Sequence, residues 1–245
     1  MKWIEPDWPA PARVRALSTT RDGCVSEGVF AGLNLGAHVG DEPARVEANR
    51  ARLQQAAAIP GTLNWLNQVH GTAVHLVSSD YGCTPDADAA CARDAGQACI
   101  VMTADCLPVL FCDRAGTVVA AAHAGWRGLQ GGVLEASIAA MGCEPDEILA
   151  WLGPAIGPQA FEVGGEVREA FMAEQAAAEA AFVPSSNEGK WLADIYQLAR
   201  LRLARAGVTA VHGGEHCTFS DSEQFYSYRR DGQTGRMASI IWLAE

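Results

Sequence analysis

The sequence predicts an α/β or α+β domain in which mixed β-sheets are covered by helices. Strand-like and helix-like segments are interspersed along the chain. Hydrophobic residues make up 49% of the sequence and charged residues 19%, which is typical of a soluble globular protein. Because no repeat, low-complexity tract or linker interrupts the chain, we expect residues 1–245 to form one domain.

Short apolar runs predict the strands. They lie at Arg13–Thr19, Leu63–Val69, Ala73–Val77, Ala98–Thr103, Pro108–Cys112, Thr117–Ala122, Phe225–Tyr228 and Met237–Leu243. Acidic residues followed by a proline predict the start of a first helix, which spans Asp41–Ala58 and stops before Pro60. Further helices are predicted at Leu129–Met141, Glu166–Ala181 and Leu192–Ala206, with a loop at Val183–Lys190.

The charge balance excludes some classes of partner. With 18 Lys and Arg residues against 29 Asp and Glu residues, the formal net charge is −11. A basic field for nucleic acid is absent, and an anionic membrane surface repels such a chain. A small anionic substrate remains compatible, because a local arginine cluster can bind it. Neither a signal peptide nor an apolar run long enough to span a membrane is visible, so we expect a cytoplasmic protein.

The eight cysteines contain no C-x-x-C pair. In a reducing compartment structural disulfides are rare, so most of these thiols are expected to be small buried hydrophobic groups. Cys99 and Cys112, which lie in apolar strand-like runs, are examples. Cys106 lies instead between two predicted strands and needs a separate explanation.

Three residues with metal-binding side chains follow predicted strands. His70 follows Leu63–Val69, Cys106 follows Ala98–Thr103, and His123 follows Thr117–Ala122. If these strand ends meet, two imidazoles and a thiolate form a zinc site with an open fourth position, which is typical of catalytic zinc. Asp105, beside the thiolate, is a candidate for orienting a ligand or accepting a proton. Spacing alone does not decide between this site and three unrelated residues.

Two further motifs also contain residues with possible functional roles. The glycine-flanked turn Gly125–Gly128 places Arg127 before a predicted helix, where it could hold a phosphate or carboxylate or simply face water. The string His212–His216 matches the H-x-x-E-H pattern of a zinc protease class. That pattern requires a helix, which two adjacent glycines disfavour, so we set it aside.

Several motif blocks resemble the YfiH/DUF152 family, also called the polyphenol oxidase or laccase-domain family. The blocks lie in order along nearly the whole chain. They are Thr19–Arg21, Leu33–Gly36, Asn67–Gly71, Thr103–Val109, Ala122–Gly128, Gly153–Gly157 and Phe225–Gly235. The resemblance implies an α/β/β/α sandwich related to cytotoxic-necrotizing-factor-type cysteine hydrolases, and it implies zinc bound by the matching residues His70, Cys106 and His123.

The resemblance also implies an activity. Members of the family are described as enzymes that cleave adenosine, inosine or guanosine with phosphate and that deaminate adenosine. We therefore expect a purine nucleoside phosphorylase that acts on small molecules, with His70, Cys106, His123 and Asp105 in the reaction. Arg127, Arg21 and Arg229, in that order, are candidates for phosphate binding, and Asn34 is a further candidate for substrate binding.

Alternatives stay open at this point. Two histidines and a cysteine also suit copper, and older descriptions of the family name phenol oxidation. Six histidines in the whole chain are too few to add the trinuclear cluster of a four-copper oxidase. Cys106 could instead act as the nucleophile of an amide hydrolase, since some members are linked to editing of peptidoglycan precursors. A non-enzymatic binding role is the last alternative, and the sequence does not separate a monomer from a homodimer.

Overall fold

The computed structural model describes residues 1–78 and 84–245. The strands are β1 Trp3–Ile4, β2 Val14–Thr19, β3 Val74–Leu76, β4 Ala89–Ala92, β5 Ala98–Thr103, β6 Leu107–Asp113, β7 Val119–Ala124, β8 Ile148–Leu152, β9 Glu162–Gly164, β10 Phe182–Pro184, β11 Lys190–Ala193, β12 Ala210–Gly213 and β13 Met237–Leu243. The α-helices are α1 Pro43–Ala56, α2 Trp126–Gly131, α3 Val133–Met141, α4 Gly165–Glu174, α5 Ile195–Arg205 and α6 Tyr228–Asp231. Within the described ranges, no helix is long and apolar enough to cross a membrane.

Two sheets form the centre of the molecule. One has six strands in the order β12-β8-β6-β7-β4-β3, with parallel pairs at both edges, and the other has four antiparallel strands in the order β1-β2-β13-β5. Alternate residues of their strands fill different cores, as the two-residue side-chain period requires. In β6, Val109 and Phe111 pack towards α3 and α5, whereas Leu110 packs between the sheets with Ile241 of β13.

The opposite face of the four-stranded sheet is covered by α1 and the loop before it. Ile100 and Ile240 pack there against Leu33 and Leu53. The layers therefore run helix, sheet, sheet, helix, which confirms the predicted α/β/β/α sandwich with mixed sheets. A small antiparallel sheet of order β10-β11-β9 adjoins α4.

Several predicted elements require correction. The run Leu63–Val69 forms no strand, and its backbone is held by separate contacts such as Asn67 N–H to Pro85 O at 2.9 Å. The predicted helix Leu129–Met141 lies in two helices, because Gly132 adopts a left-handed conformation with φ +102°. The helix predicted to Ala181 ends at Glu174 and gives way to a 3-10 segment.

Two corrections concern segments near the C-terminus. The helix predicted from Leu192 begins at Ile195, because Lys190–Ala193 pairs with its neighbours as β11. Phe225–Tyr228 is not a strand, since Ser227 accepts a hydrogen bond from Arg230 N–H and so caps the short helix α6. By contrast, the predicted strands Ala98–Thr103 and Met237–Leu243 are confirmed residue for residue.

Candidate metal centre

Three donor side chains meet at the edge where the chain passes from one central sheet to the other. The turn between β5 and β6 carries Cys106, and the register of β6 and β7 places His123 opposite Pro108. The donor atoms of His70, Cys106 and His123 lie within 4.8 Å of one another. Cys106 Sγ lies 3.9 Å from His70 Nε2, and the two imidazole rings meet edge to face with centroids 4.8 Å apart. The structure thus brings together the three residues that the sequence left dispersed.

His70 reaches this group from a tight turn rather than from a strand end. Its φ of +60° is left-handed, which is uncommon for a residue other than glycine. The turn is held by the carboxylate of Asp88, which accepts hydrogen bonds from the N–H groups of Val69, His70 and Gly71 at 3.1, 2.9 and 2.6 Å. This carboxylate therefore fixes the backbone that presents His70.

Asp88 also contacts the second histidine. Its Oδ1 lies 2.8 Å from Nδ1 of His123, and the carboxylate is fully buried. With Nδ1 engaged in this way, Nε2 of His123 is the ring atom left to bind a metal, an arrangement common among metal-binding histidines. Asp88 could not be predicted from the sequence, because it precedes β4, an alanine-rich strand that the apolar pattern does not reveal.

The structure places Asp105 differently from the expectation. Its carboxylate accepts hydrogen bonds from Thr218 Oγ1 at 2.7 Å, Ser227 Oγ at 3.0 Å and Arg229 N–H at 2.7 Å. The side chain is 8% exposed, and its φ of +94° marks an unusual turn between β5 and β6. Although Asp105 precedes Cys106 in sequence, its hydrogen bonds fix the loops at Thr218 and Ser227 rather than either histidine.

Two glycines of the block Ala122–Gly128 are required by close packing. A Cβ at Gly125 would lie 2.8 Å from His70 Cδ2 and 3.1 Å from Cys106 Sγ, so no larger residue fits beside the donor group. A Cβ at Gly128 would lie 2.9 Å from the carbonyl oxygen of Gly71. This part of the sequence therefore serves the donor group by leaving space for it.

The charges of the donor group are coupled. Burial opposes ionisation of the Cys106 thiol, but the nearby charge and hydrogen bonds of His123 and His70 outweigh it and lower its pKa to about 6. Burial also opposes protonation of His123, but Cys106 and Asp88 raise its pKa to about 9. Without a metal, the group is thus a thiolate beside an imidazolium near neutral pH, and a thiolate is the form that binds metals.

Three of the other described cysteines differ from Cys106, whereas Cys24, Cys143 and Cys217 are half-buried. Cys91, Cys99 and Cys112 are buried, as expected for small hydrophobic groups. Burial raises the pKa of Cys99 well above its ordinary value and that of Cys112 to about 12, so both remain thiols. Cys83 lies outside the described residues.

Two adjoining cavities open onto the donor group and share His70, Ala104, Cys106 and Tyr228 as lining residues. The first, which we call the Trp126 cavity, has a volume of about 250 Å³. It is also lined by Asp105, Trp126, Arg127, Ile156, Phe161, Ile195 and Arg229. The second, the Arg236 cavity, has a volume of about 370 Å³. It is also lined by His38, Gln68, Met102, Thr103, His123 and Arg236.

The candidate substrate-binding residues fall into two groups. Arg127 and Arg229 line the Trp126 cavity, and the guanidinium of Arg127 lies 4.5 Å from the ring centroid of Trp126. Arg21 lines neither cavity, and its guanidinium donates to the carbonyl oxygens of Ser222 and Ala31. Asn34 is fully buried and also lines neither cavity.

The H-x-x-E-H string was rightly set aside, since its first two residues, His212 and Gly213, lie in β12. A helix carrying both of its histidines is therefore absent.

The family model described as multi-copper polyphenol oxidoreductase laccase matches residues 15–244. The chain belongs to this laccase-domain family. A family relative from Pseudomonas aeruginosa, named purine nucleoside phosphorylase, is 60% identical over 243 residues, which cover 99% of each chain. The Escherichia coli relative, named purine nucleoside phosphorylase YfiH, is 58% identical over 242 residues. The matched region covers 99% of each chain.

A solved structure of the same family shares the whole fold. The Neisseria meningitidis protein NMB0706, described as DUF152, superposes with a TM-score of 0.95 at 55% identity and with full coverage of both chains. The resemblance predicted from the motif blocks is therefore confirmed. The two relatives are named for nucleoside phosphorolysis, whereas the description of the family model refers to copper-dependent oxidation.

Proposed function

We propose that this protein is a zinc-dependent purine nucleoside phosphorylase that also deaminates adenosine, with His70, Cys106 and His123 as the metal ligands. The observation that carries the proposal is one His–Cys–His donor group beside a cavity lined by aromatic rings and arginines. The names of the relatives support the same reaction class.

The donor group fits zinc. A tetrahedral zinc with bonds of about 2.3 Å to sulfur and about 2.0 Å to nitrogen separates the two donor atoms by roughly 3.5 Å. The 3.9 Å from Cys106 Sγ to His70 Nε2 is close to that value, and all three donor atoms lie within 4.8 Å of one another. Three protein ligands leave a fourth position, and a zinc ion in such a site lowers the pKa of a bound water to about 7.

The Trp126 cavity suits a purine nucleoside. Trp126, Phe161 and Tyr228 offer aromatic surface, and Ile156 and Ile195 offer aliphatic surface, to a flat base. Arg127 is exposed on this wall, and the structure gives its guanidinium no hydrogen bond to any described residue, so it is available to a polar substituent or an anion.

Arg229 has a more defined position on the same wall. Its Nη1 donates to the carbonyl oxygen of Glu162 at 2.8 Å, and its backbone N–H donates to Asp105. Because the carboxylate of Asp105 is already engaged by three donors, we propose that it positions Arg229 and the neighbouring loops instead of moving protons in the reaction.

Phosphorolysis and deamination place different demands on these residues. Phosphorolysis needs cations that hold an anion beside the anomeric carbon, whereas deamination needs an activated water near C6 of the base. One donor group bordering two cavities supports both reactions, provided that adenosine can present either end of the molecule to it.

Copper-dependent phenol oxidation is the second candidate function, because the matching family model bears that description. Two imidazoles and a thiolate can also bind copper. The described ranges contain one group of three or more metal donors, whereas a multi-copper oxidase needs a further cluster. Phenol turnover by copper-loaded protein that exceeds its nucleoside turnover would favour this candidate.

The test is chromatography of the products formed from adenosine by zinc-loaded protein, with and without inorganic phosphate. We expect adenine, hypoxanthine and ribose 1-phosphate only when phosphate is present, and inosine to accumulate when phosphate is absent. The Cys106→Ala variant, purified in parallel, should give none of these products. Unchanged adenosine with zinc-loaded protein would contradict the proposal. Amide hydrolysis by the metal-free protein would instead favour Cys106 as a nucleophile.

A further inference from the structure

The two cavities beside the donor group differ in chemistry. Apart from the residues they share, the Trp126 cavity is lined by four aromatic or aliphatic side chains, by the guanidinium groups of Arg127 and Arg229, and by the carboxylate of Asp105, which offsets part of their charge. The Arg236 cavity has no Asp or Glu among its lining residues, and it contains the imidazoles of His38 and His123 and the guanidinium of Arg236. The second cavity therefore favours an anion, although the chain as a whole is strongly acidic.

Arg236 is held firmly at this cavity by its backbone. Its N–H donates to Asn34 Oδ1 at 2.9 Å, and its carbonyl oxygen accepts from Leu35 N–H at 3.1 Å. A Cβ at Gly36 would lie 2.8 Å from Arg236 Cγ, so a glycine is needed for the arginine to lie against this loop. Asn34, expected to bind substrate, instead fixes the backbone of Arg236 and that of Gly36.

The guanidinium of Arg236 is oriented by hydrogen bonds from one of its nitrogens, and its other nitrogens make none within the described part of the chain. Its Nη1 donates to the carbonyl oxygens of Thr234 and Gly235, both at 3.0 Å. Among the described residues, neither Nε nor Nη2 makes a hydrogen bond, and no salt bridge joins this arginine to a carboxylate, although the charges of Cys106 and Asp105 act on it. A planar guanidinium with free donors, fixed by two bonds on one nitrogen, is well suited to bind a phosphate oxygen.

His38 adds a second donor beside this cation. It follows the Leu33–Gly36 segment and lines the same cavity. His38 is exposed at the mouth of this cavity, and partial burial, followed by the positive charges of Arg236, Arg50 and His123 near its ring, lowers its pKa. The guanidinium of Arg50 is fixed by two hydrogen bonds to the carbonyl oxygen of Leu35, at 3.0 and 2.7 Å.

We propose that the Arg236 cavity is the binding site for inorganic phosphate, with Arg236 and His38 as its ligands, and that the purine nucleoside occupies the adjoining Trp126 cavity. This inference rests on the proposed phosphorolysis. In that reaction an oxygen of hydrogen phosphate forms a bond to the anomeric carbon while the bond from that carbon to the purine nitrogen breaks. The electron pair leaves with the purine, which takes up the proton of the hydrogen phosphate.

The assignment also separates the arginines by role. Arg127 and Arg229 line the other cavity, where they contact the nucleoside in this arrangement. Substitutions of Arg236 and His38 should therefore change the dependence on phosphate, and substitutions of Arg127 the dependence on nucleoside.

The experiment measures the binding of inorganic phosphate to zinc-loaded protein by calorimetry, together with the KM values for phosphate and inosine. The variants are Arg236→Gln, Arg236→Lys, His38→Gln and Arg127→Gln. Arg205→Gln is the matched control, because Arg205 lies on α5 and donates to the carbonyl oxygen of Glu174. We expect Arg236→Gln to raise the KM for phosphate at least about tenfold and to leave that for inosine within about twofold.

Three outcomes decide whether the assignment holds. A rise in phosphate KM in the Arg236 and His38 variants, with weaker phosphate binding and unchanged Arg205→Gln, supports the assignment. If Arg236→Gln does not fold, Arg236→Lys and His38→Gln carry the same test. If phosphate binding and the KM for phosphate are unchanged in these variants, the assignment is overturned. If Arg127→Gln also loses phosphate binding, phosphorolysis itself remains supported. Wild-type protein that neither binds phosphate nor releases purine with it overturns both proposals.

Discussion

Asp88 and Asp105 are two buried carboxylates beside the same donor group, and they serve different parts of the molecule. Asp88 contacts His123 through Nδ1 and the turn of His70 through three backbone N–H groups. Asp105, one residue from Cys106, contacts the loop at Thr218 and the start of α6. The residue that supports the two histidines of the donor group is therefore the one distant from Cys106 in sequence.

The difference follows from backbone geometry. Asp105 has a left-handed φ in the turn between β5 and β6, and its carboxylate bonds to residues more than 100 positions later in the chain. Asp88 precedes β4, which pairs with β7 and so brings it against His123, whose N–H donates to Asp88 O at 2.7 Å. Sheet pairing, rather than sequence proximity, decides which carboxylate supports the ligands.

The largest loss of zinc affinity is expected when a proposed metal ligand is itself removed. This loss is the upper limit for the effect of substituting either Asp88 or Asp105. Cys106→Ala and His123→Ala should each lower zinc affinity by more than about a hundredfold, since loss of a ligand exceeds the effect of losing a ligand's hydrogen-bond partner. Zinc content after dialysis against a weak chelator measures this. Stoichiometric zinc in Cys106→Ala would contradict the ligand assignment.

The different roles of the two carboxylates are tested by measuring the zinc affinity of Asp88→Asn and of Asp105→Asn. An amide at position 88 cannot accept all four hydrogen bonds, so we expect zinc affinity to fall about 10–100-fold. Asp105→Asn, an equally conservative change, should leave zinc affinity close to that of wild type. Competition with a chromogenic chelator gives both affinities, and thermal unfolding shows whether each variant is folded. Equal losses in the two variants would remove the distinction.

The two aspartates can also be compared by the effect of each on the reactivity of Cys106 in metal-free protein. Since the pKa of Cys106 is about 6, its thiolate fraction should fall about tenfold between pH 7 and pH 5, and with it the rate of alkylation by iodoacetamide. Because Asp88 helps to keep His123 charged, Asp88→Asn should move this transition to higher pH and Asp105→Asn should not. Peptide mass spectrometry resolves Cys106 from the other thiols. A rate that keeps rising towards pH 9 in wild-type protein would contradict the lowered pKa.

The smallest effect on the metal is expected from Asp113, a control at the far end of β6. Its carboxylate accepts bonds from Thr117 N–H, Thr117 Oγ1 and Val118 N–H at 2.6, 2.6 and 3.0 Å. Asp113→Asn should lower the free energy of unfolding by about 1–3 kcal/mol without changing zinc affinity.

The pH dependence of that control has a definite sign. Burial opposes ionisation of Asp113, but its hydrogen bonds lower its pKa overall, so its contribution to stability is present above the ordinary aspartate pKa. That contribution is lost as the pH falls through the lowered value in the folded protein. Denaturant unfolding of both proteins at neutral and acidic pH should show the difference shrinking in acid, and a difference that grows in acid would be inconsistent with this pKa shift.

The sequence pattern predicted mixed sheets covered by helices, and the family resemblance added the α/β/β/α sandwich and the set of donor residues. Apolar strands such as β5 and β13 could be predicted because they are buried on both faces and bounded by polar turns. Short strands such as β4 and β12 could not, since alanine-rich or partly buried segments carry little periodic signal. The dispersed ligands required the family resemblance, because no local spacing joins His70 to Cys106.

The residues that contact the donor group or line its cavities could not be predicted from the sequence for a related reason. Asp88 and Arg236 act through long-range contacts set by sheet pairing and by the loop at Asn34, and neither has a local motif. Asn34 was recognised as a member of a motif block, but only the structure assigns its amide to the backbone of Arg236.

The most direct test of the metal centre is anomalous diffraction, above and below the zinc absorption edge, from crystals of protein purified without chelators. The account predicts one zinc peak bonded to Cys106 Sγ and to a nitrogen of each of His70 and His123, with Asp88 bonded to Nδ1 of His123. A peak that appears at the copper edge instead, or a zinc peak bonded to other residues, would contradict it.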